Sequence, residues 1–253
     1  MKSQLKLEEI KSFLPVKEPF TRDIIRDFFI RKGEELTREN LMVRVNRLKS
    51  KGIIVNVGRG WYRLNNKKIF APEITPSLKK VSGRLKKSFP FLNYALWSSI
   101  WLNDLATLQL FRNVFIIEVE AGSEEAVFMA IKESFPFKTF LNPDEFAWVN
   151  YMTSSDENII IKTMISESPK ENYHGIKIAK LEKILVDLYA DKLWQSIFSS
   201  EVRNIYEEAC NNYVLNFSTL LSYAARRGKR KEIWNYIKSL EVLDSPTIEL
   251  IEQ

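Results

Sequence analysis

Residues 37–64, TRENLMVRVNRLKSKGIIVNVGRGWYRL, read as one helix followed at once by a tight two-stranded hairpin. Leu41, Val45 and Leu48 recur at helical spacing and predict one buried stripe. Thr37 suits the N-cap, where its hydroxyl accepts an otherwise unpaired backbone N–H, and Gly52 stands where a helix end needs a left-handed residue. At 100° per residue the opposite face carries Glu39, Val43, Asn46 and Ser50, with Asn40 and Arg47 along its flank and Arg38 at the helix start. IIVNV and WYRL are β-favouring runs, and Gly58-Arg59-Gly60 between them permits the positive φ of a hairpin turn while leaving an arginine at its tip. Helix and hairpin together predict the reading end of a winged helix-turn-helix. Its DNA contacts would be Arg38, Asn40, Val43, Asn46, Arg47 and Ser50 on the helix, with Arg59 on a phosphate or in the minor groove. A three-helix unit with a hairpin also serves as a pure protein-interaction domain; the local charge favours DNA.

That charge is unevenly spread. Residues 1–90 hold 22 Lys+Arg against 9 Asp+Glu, a net +13, whereas residues 91–253 hold 16 against 23, a net −7. A polyanionic duplex attracts the first half by counterion release and repels the second, so the sequence predicts two jobs in one chain. At 253 residues with 45% hydrophobic residues there is enough apolar material for two domains. No stretch approaches 18 uncharged apolar residues and MKSQLKLEEIKSF has no apolar signal core, so the expected setting is the cytoplasm, with no membrane. The single cysteine, Cys210, and the single histidine, His174 in the loop-like run SPKENYHGI, leave no thiolate cluster and no histidine-based metal or triad chemistry to expect.

Upstream of the reader, Leu5, Ile10, Phe13 and Leu14 share a helical face that Pro15 ends, and Thr21 then caps a second helix whose core face is Ile24, Ile25, Phe28 and Phe29. Arg22, Arg26, Arg31 and Lys32 on that helix are either backbone contacts to DNA or an ordinary solvated face. Downstream, residues 71–90 carry three prolines and a run of cations and read as a basic linker, with VSGRLKK as a possible short helix.

From residue 91 the period changes to strands, NYALWSSIWL, VFIIEVEA, KTFL and NIIIKTMIS, with an amphipathic helix over 123–134, which predicts a mixed sheet over residues 91–165. Residues 180–242 read as four short amphipathic helices. The whole is therefore α+β, with a winged helix over 1–70, a linker over 71–90 and a mixed, helix-ended domain over 91–253. The charge run Arg226, Arg227, Lys229, Arg230 and Lys231 lies between two of those helices, either as cations placed against a helix C-terminus or as a further DNA or partner contact.

Chemistry is thinly represented. Glu118 and Glu120 alternate along a strand, with Lys162 on another, a distant echo of carboxylate-and-lysine nuclease sites. The required nearby aspartate and strand-borne acid-x-lysine are missing. There is no P-loop, no GxSxG, no dinucleotide-binding glycine turn and no metal-spaced Cys/His set, so neither enzyme activity nor a cofactor or metal is expected.

With both halves read, the chain resembles the AbiE-type (AbiEi-like) antitoxins of type IV toxin–antitoxin systems, in order and over most of its length. The resemblance rests on the basic N-terminal reader ending in GRGWYRL, on WLNDLATLQLFRNVFIIEVEAGSEEAVFMAIKES with its EVE strand before an acidic helix, on KIAKLEKILVDLYADK with Glu182 and Asp187, and on YAARRGKR in the helical C-terminus. The sequence departs from the family pattern at Thr107-Leu108-Gln109, where His-Gln is expected, so no role is carried over to these residues. The resemblance implies a cytoplasmic antitoxin that represses its own operon by binding double-stranded operator DNA and counteracts a nucleotidyltransferase-like toxin. The alternative is a winged-helix transcriptional regulator that senses a small molecule and has no toxin.

Overall fold

A computed structural model describes residues 2–16, 18–107, 113–152 and 157–252, with the side chains of 2–6 and 149 left aside. The elements begin α1 (Lys2–Phe13), β1 (Phe20–Thr21), α2 (Arg22–Arg31), α3 (Arg38–Ser50), β2 (Ile54–Gly58), β3 (Trp61–Leu64) and α4 (Pro76–Ser88). They continue with β4 (Tyr94–Ser98), β5 (Asn113–Val119), α5 (Glu124–Ser134), β6 (Lys138–Leu141), a single turn α6 (Glu145–Ala147), β7 (Glu157–Thr163), β8 (Lys170–Tyr173) and β9 (Ile176–Ala179). Six helices close the chain: α7 (Leu181–Ala190), α8 (Lys192–Phe198), α9 (Val202–Asn212), α10 (Phe217–Arg226), α11 (Arg230–Ser239) and α12 (Ser245–Glu252). The fold is α+β and divides into two units.

The first unit comprises Met1–Phe70, Cys210–Ser218 and Lys238–Gln253. Its core is the intersection of three stripes: Ile10 and Leu14 from the first helical segment, Ile25, Phe28 and Phe29 from α2, and Leu41, Val45 and Leu48 from α3, roofed by Ile53, Ile54 and Tyr62. Leu5, assigned to the same face by its spacing, lies outside the described side chains. Each helix start is closed as its sequence requires. The Thr21 hydroxyl accepts the Asp23 N–H and the Thr37 hydroxyl the Asn40 N–H, both at 3.3 Å. After α3 the chain turns at Gly52, φ 64°, straight into β2. The strands lie in the antiparallel order β1-β3-β2.

The two hairpin glycines serve different ends. Gly60 adopts φ 80°, the left-handed conformation of the turn, whereas Gly58 is not left-handed; a Cβ there would lie 2.7 Å from the Leu250 carbonyl oxygen. Gly58 is thus required by a close backbone approach from α12, which packs on β2. Residues 210–218 are joined to the same unit by backbone, Lys68 N to Asn212 O at 2.8 Å and Val214 N to Lys68 O at 2.9 Å.

The second unit comprises Ala71–Ala209 and Thr219–Ile237 and is built on a six-stranded sheet of order β6-β7-β5-β4-β9-β8. β6, β7 and β5 run parallel, β4 is antiparallel to β5, β9 is parallel to β4, and β8 returns antiparallel. β5 is central, and from Val114 to Val119 it is buried throughout and apolar apart from Glu118, as a strand covered on two faces must be. α4 and α5 lie together on one face, where Glu124 accepts a hydrogen bond from Thr163 at 2.6 Å; α7 and α8 cover the other, where Trp97 meets Trp194 edge to face at 5.2 Å.

Four expectations change here. Residues 71–90 are not a linker: Leu78, Val81 and Leu85 are fully buried and α4 belongs to the second unit, its lysines directed to the other side. The run around His174 is not a loop but the hairpin β8–β9, turning at His174 (φ 48°) and Gly175 (φ 79°). The helix read through LEKILVDLYADKLW breaks at Asp191, which is extended and caps α8 by accepting the Leu193 N–H at 3.0 Å. Finally, the domain 91–253 is not continuous, since 210–218 and 238–253 complete the first unit, and α12 extends the helical part past residue 242.

Candidate nucleic-acid interface

α3 is amphipathic about the stripe that anchors it. With Leu41, Val45 and Leu48 fixed inward, Arg38, Asn40, Val43, Asn46, Arg47 and Ser50 are all exposed, Val43 at 63%. Glu39, Val43, Asn46 and Ser50 fall on one narrow arc, flanked by Asn40 and Arg47 on one side and Arg38 on the other. The Ser50 hydroxyl donates back to the Arg47 carbonyl at 3.0 Å, and Thr37 is committed to its cap. Glu39 shares this face; hydrogen bonding to backbone N–H at the helix start, then to Thr37, holds its carboxyl below the usual range, so it carries a negative charge there. Arg59 is exposed at the hairpin tip. The seven positions singled out by sequence are therefore all solvent-facing, and six of them sit on one helix.

Cations elsewhere make their own contacts. On α2, Arg26 pairs with Asp23 at 3.2 Å and Arg31 lies 5.1 Å over the Phe13 ring, and just past the helix end Lys32 pairs with Glu9 at 2.9 Å. In the run after α10, Gly228 (φ 67°) ends the helix, Lys229 pairs with Glu232 at 2.7 Å and Arg226 reaches Ser166 at 3.4 Å. Arg227 is half-buried and turns inward, and Arg226, Arg230 and Lys231 are the exposed members of the run.

The division into units also redraws the charge. The first unit holds 18 Lys+Arg against 12 Asp+Glu, a net +6, and the second 20 against 20, a net of zero. The contrast of +13 and −7 between sequence halves arises because the cationic α4 belongs to the second unit and the acidic 238–253 to the first. The basic character stays with α3 and the hairpin; the second unit is neutral, not acidic.

Inside the second unit lies a cluster that the sequence hid. Lys183 on α7 is completely buried and is held by Glu118 of β5 and by Asp187 one turn along, at 2.5 Å. Trp97 Nε1 donates to Glu118 at 3.4 Å and the Tyr223 hydroxyl to Asp187 at 3.0 Å. Arg227 lies 3.5 Å from Asp187 and 3.9 Å from Asp191, and Asp191 also holds Lys162. Three cations and three carboxylates thus balance in one network. Burial opposes the Lys183 charge, but Asp187 and Glu118 outweigh it and hold the ammonium above its ordinary range. Burial likewise raises the Glu118 carboxyl, which Lys183 opposes, and raises the Tyr223 hydroxyl. Glu118 and Glu120 do not converge: the first is engaged inside by Lys183 and Trp97, and the second is exposed past the strand end, where it accepts the Asn93 N–H at 3.3 Å. Glu182, beside Lys183, is buried as well.

At the divergent tripeptide, the Thr107 N–H donates to Glu201 at 2.9 Å, and Leu108 and Gln109 lie outside the described residues. No helix among the described residues is long and apolar enough to cross a membrane. Residues 40–242 match the model of a family of unknown function, DUF6577, and no characterised protein matches the chain significantly.

Proposed function

Because the chain belongs to the DUF6577 family, whose description assigns no activity, we propose from its geometry and its likeness to AbiE-type antitoxins that it is a cytoplasmic DNA-binding regulator and antitoxin. The observation that carries the DNA half is the face of α3: a solvent-facing arc with Asn46 and Arg47, backed by an apolar stripe and followed by a hairpin with Arg59 at its tip, in the unit that holds the net positive charge. In this reading the unit is a winged helix-turn-helix. Asparagine offers a bidentate pair to adenine and arginine to guanine in the major groove, and Val43 supplies an apolar contact of the kind a thymine methyl takes. Arg59 acts on phosphate or in the minor groove.

The antitoxin half rests on the resemblance to AbiE-type antitoxins and on the existence of a second, neutral unit with its own buried sheet and network, which DNA binding does not require. The partner in this reading is a nucleotidyltransferase-like toxin encoded alongside.

The test uses the full chain, since residues 210–218 and 238–253 complete the first unit. Fluorescence anisotropy with duplex DNA from upstream of its own gene is expected to show binding whose log affinity falls with log salt at a slope of about −4 to −7, for roughly five to eight phosphates. Absence of binding at low salt, or binding indifferent to salt, overturns the DNA reading. For the antitoxin reading, co-expression with the adjacent toxin is expected to restore growth, and an Arg47→Ala/Arg59→Ala variant is expected to lose repression while keeping the rescue. A full chain that gives no protection overturns it.

A further inference from the structure

Behind the hairpin, within the first unit, is a cleft of about 510 Å³ between β2–β3 and the segments 210–217 and 242–247. That volume lies in the range of small-molecule sites. Val55, Leu64, Tyr213, Leu215 and Val242 supply an apolar lining, and three charged side chains stand among them: Arg63, Lys67 and Asp244.

These charges do not balance. Arg63 and Asp244 face each other through two contacts, at 2.8 and 3.4 Å, and so satisfy one another. Lys67 is left over. Its hydrogen-bond partner among the described residues is a neutral one, the Cys210 carbonyl oxygen at 2.5 Å. Burial lowers the Lys67 ammonium below its ordinary range and the nearby Arg63 charge adds to that effect, with Cys210 and Asp244 opposing it. Burial pushes the Cys210 thiol up to about 12, so near neutral pH it stands beside Lys67 as an uncharged group. Arg63 Nε, which is shielded, also lacks a partner, so the polar groups of this wall are not all satisfied by the protein alone. A cleft with one net positive charge and an ammonium in need of an acceptor calls for one negative charge. A phosphate monoester carries nearly two at neutral pH and is the poorer match.

We propose that this cleft binds a small organic monocarboxylate, its carboxylate on Lys67 and its apolar body along Val55, Leu64 and Leu215. The carboxylate neutralises the site and takes up ammonium donors left open by the single carbonyl contact. Because β2 and β3 are one wall of the cleft and carry Arg59 between them, occupancy bears on where the hairpin tip can go; this consequence alone rests on the DNA-binding reading.

The experiment is isothermal titration calorimetry of the full chain with hexanoate, phenylacetate and indole-3-acetate, each against its own primary amide, which keeps the shape and removes the charge. At least one acid is expected to bind, tighter than its amide by tenfold or more, and Lys67→Met is expected to weaken it by a similar factor. Equal binding of acid and amide, or no binding by any of the three acids, overturns the proposal. So does a folded Lys67→Met protein, checked by circular dichroism, with undiminished affinity; the comparison of acid with amide on the unaltered chain stands even where that variant does not fold. If the acid binds and the chain shows no affinity for duplex DNA, the DNA reading falls and the carboxylate site stands.

Discussion

Arg47 on α3 and Lys183 on α7 are cations on helices of similar length, and they show opposite uses of charge. Arg47 stands on a solvent-facing arc above an apolar stripe, whereas Lys183 is completely buried between two carboxylates. A solvated cation keeps its charge available to an outside polyanion and contributes little to stability. A buried one has its charge neutralised by internal partners, and its removal strands those partners in a low-dielectric interior. The first kind of residue carries recognition and the second carries the fold.

The largest effect is therefore expected at Lys183. Lys183→Met leaves Glu118 and Asp187 facing each other without their shared counter-charge, and the loss of stability in urea unfolding should be about 3–5 kcal/mol. The double variant Lys183→Met/Glu118→Leu should recover much of it, because Asp187 keeps Arg227 and Tyr223. A single variant as stable as the parent would make the network incidental. The same contrast has a pH signature. Lys183 and Tyr223 are both raised in the folded chain. The stability they contribute is fully present below their unfolded values, about 10.4 and 10, and is lost as pH rises through the folded ones. The part of the unfolding midpoint set by these two groups should accordingly fall in the alkaline range, and Lys183→Met should flatten that fall.

Next in size is Arg47→Ala, expected to cost about 1–3 kcal/mol on the preferred DNA sequence and less on random duplex, while Arg59→Ala should weaken both alike. Identical profiles for the two variants would mean that α3 does not read bases. The smallest effect belongs to Lys229→Ala, which removes a solvent-exposed pair with Glu232 and should change stability by roughly 0–1 kcal/mol.

Sequence periodicity was a good guide wherever one face of an element is wet. The stripe of α3, the caps at Thr21 and Thr37, and the exposed arc from Arg38 to Ser50 all follow from spacing alone. It misled where polar residues do internal work or apolar ones sit among cations. In α4 three buried apolar residues, Leu78, Val81 and Leu85, are hidden by prolines and lysines. In β8 the edge strand KENY has almost no buried side chain, so it carries no strand pattern at all. Lys183 reads as one more solvated lysine until β5 brings Glu118 to it, 65 residues away in sequence. The same holds for Arg227, which belongs by sequence to a surface charge run and by structure to the interior. Gly58 was legible as a glycine but not in its reason, since Leu250 is remote in sequence.

That approach of Leu250 to Gly58 also sets an order of events during synthesis. The core from Ile10 to Tyr62 is drawn entirely from the first 64 residues and can close early. β2, however, is an edge strand of its sheet, and the helix that packs on it emerges only after about 180 further residues. At typical translation rates of 5–20 residues per second the interval is roughly ten to forty seconds. Throughout it the nascent chain presents an uncovered strand edge, the kind of surface that pairs with a neighbouring chain or recruits a chaperone. The residues before that helix therefore face a selection that the finished protein does not display: they must stay soluble with one wall of their unit not yet made.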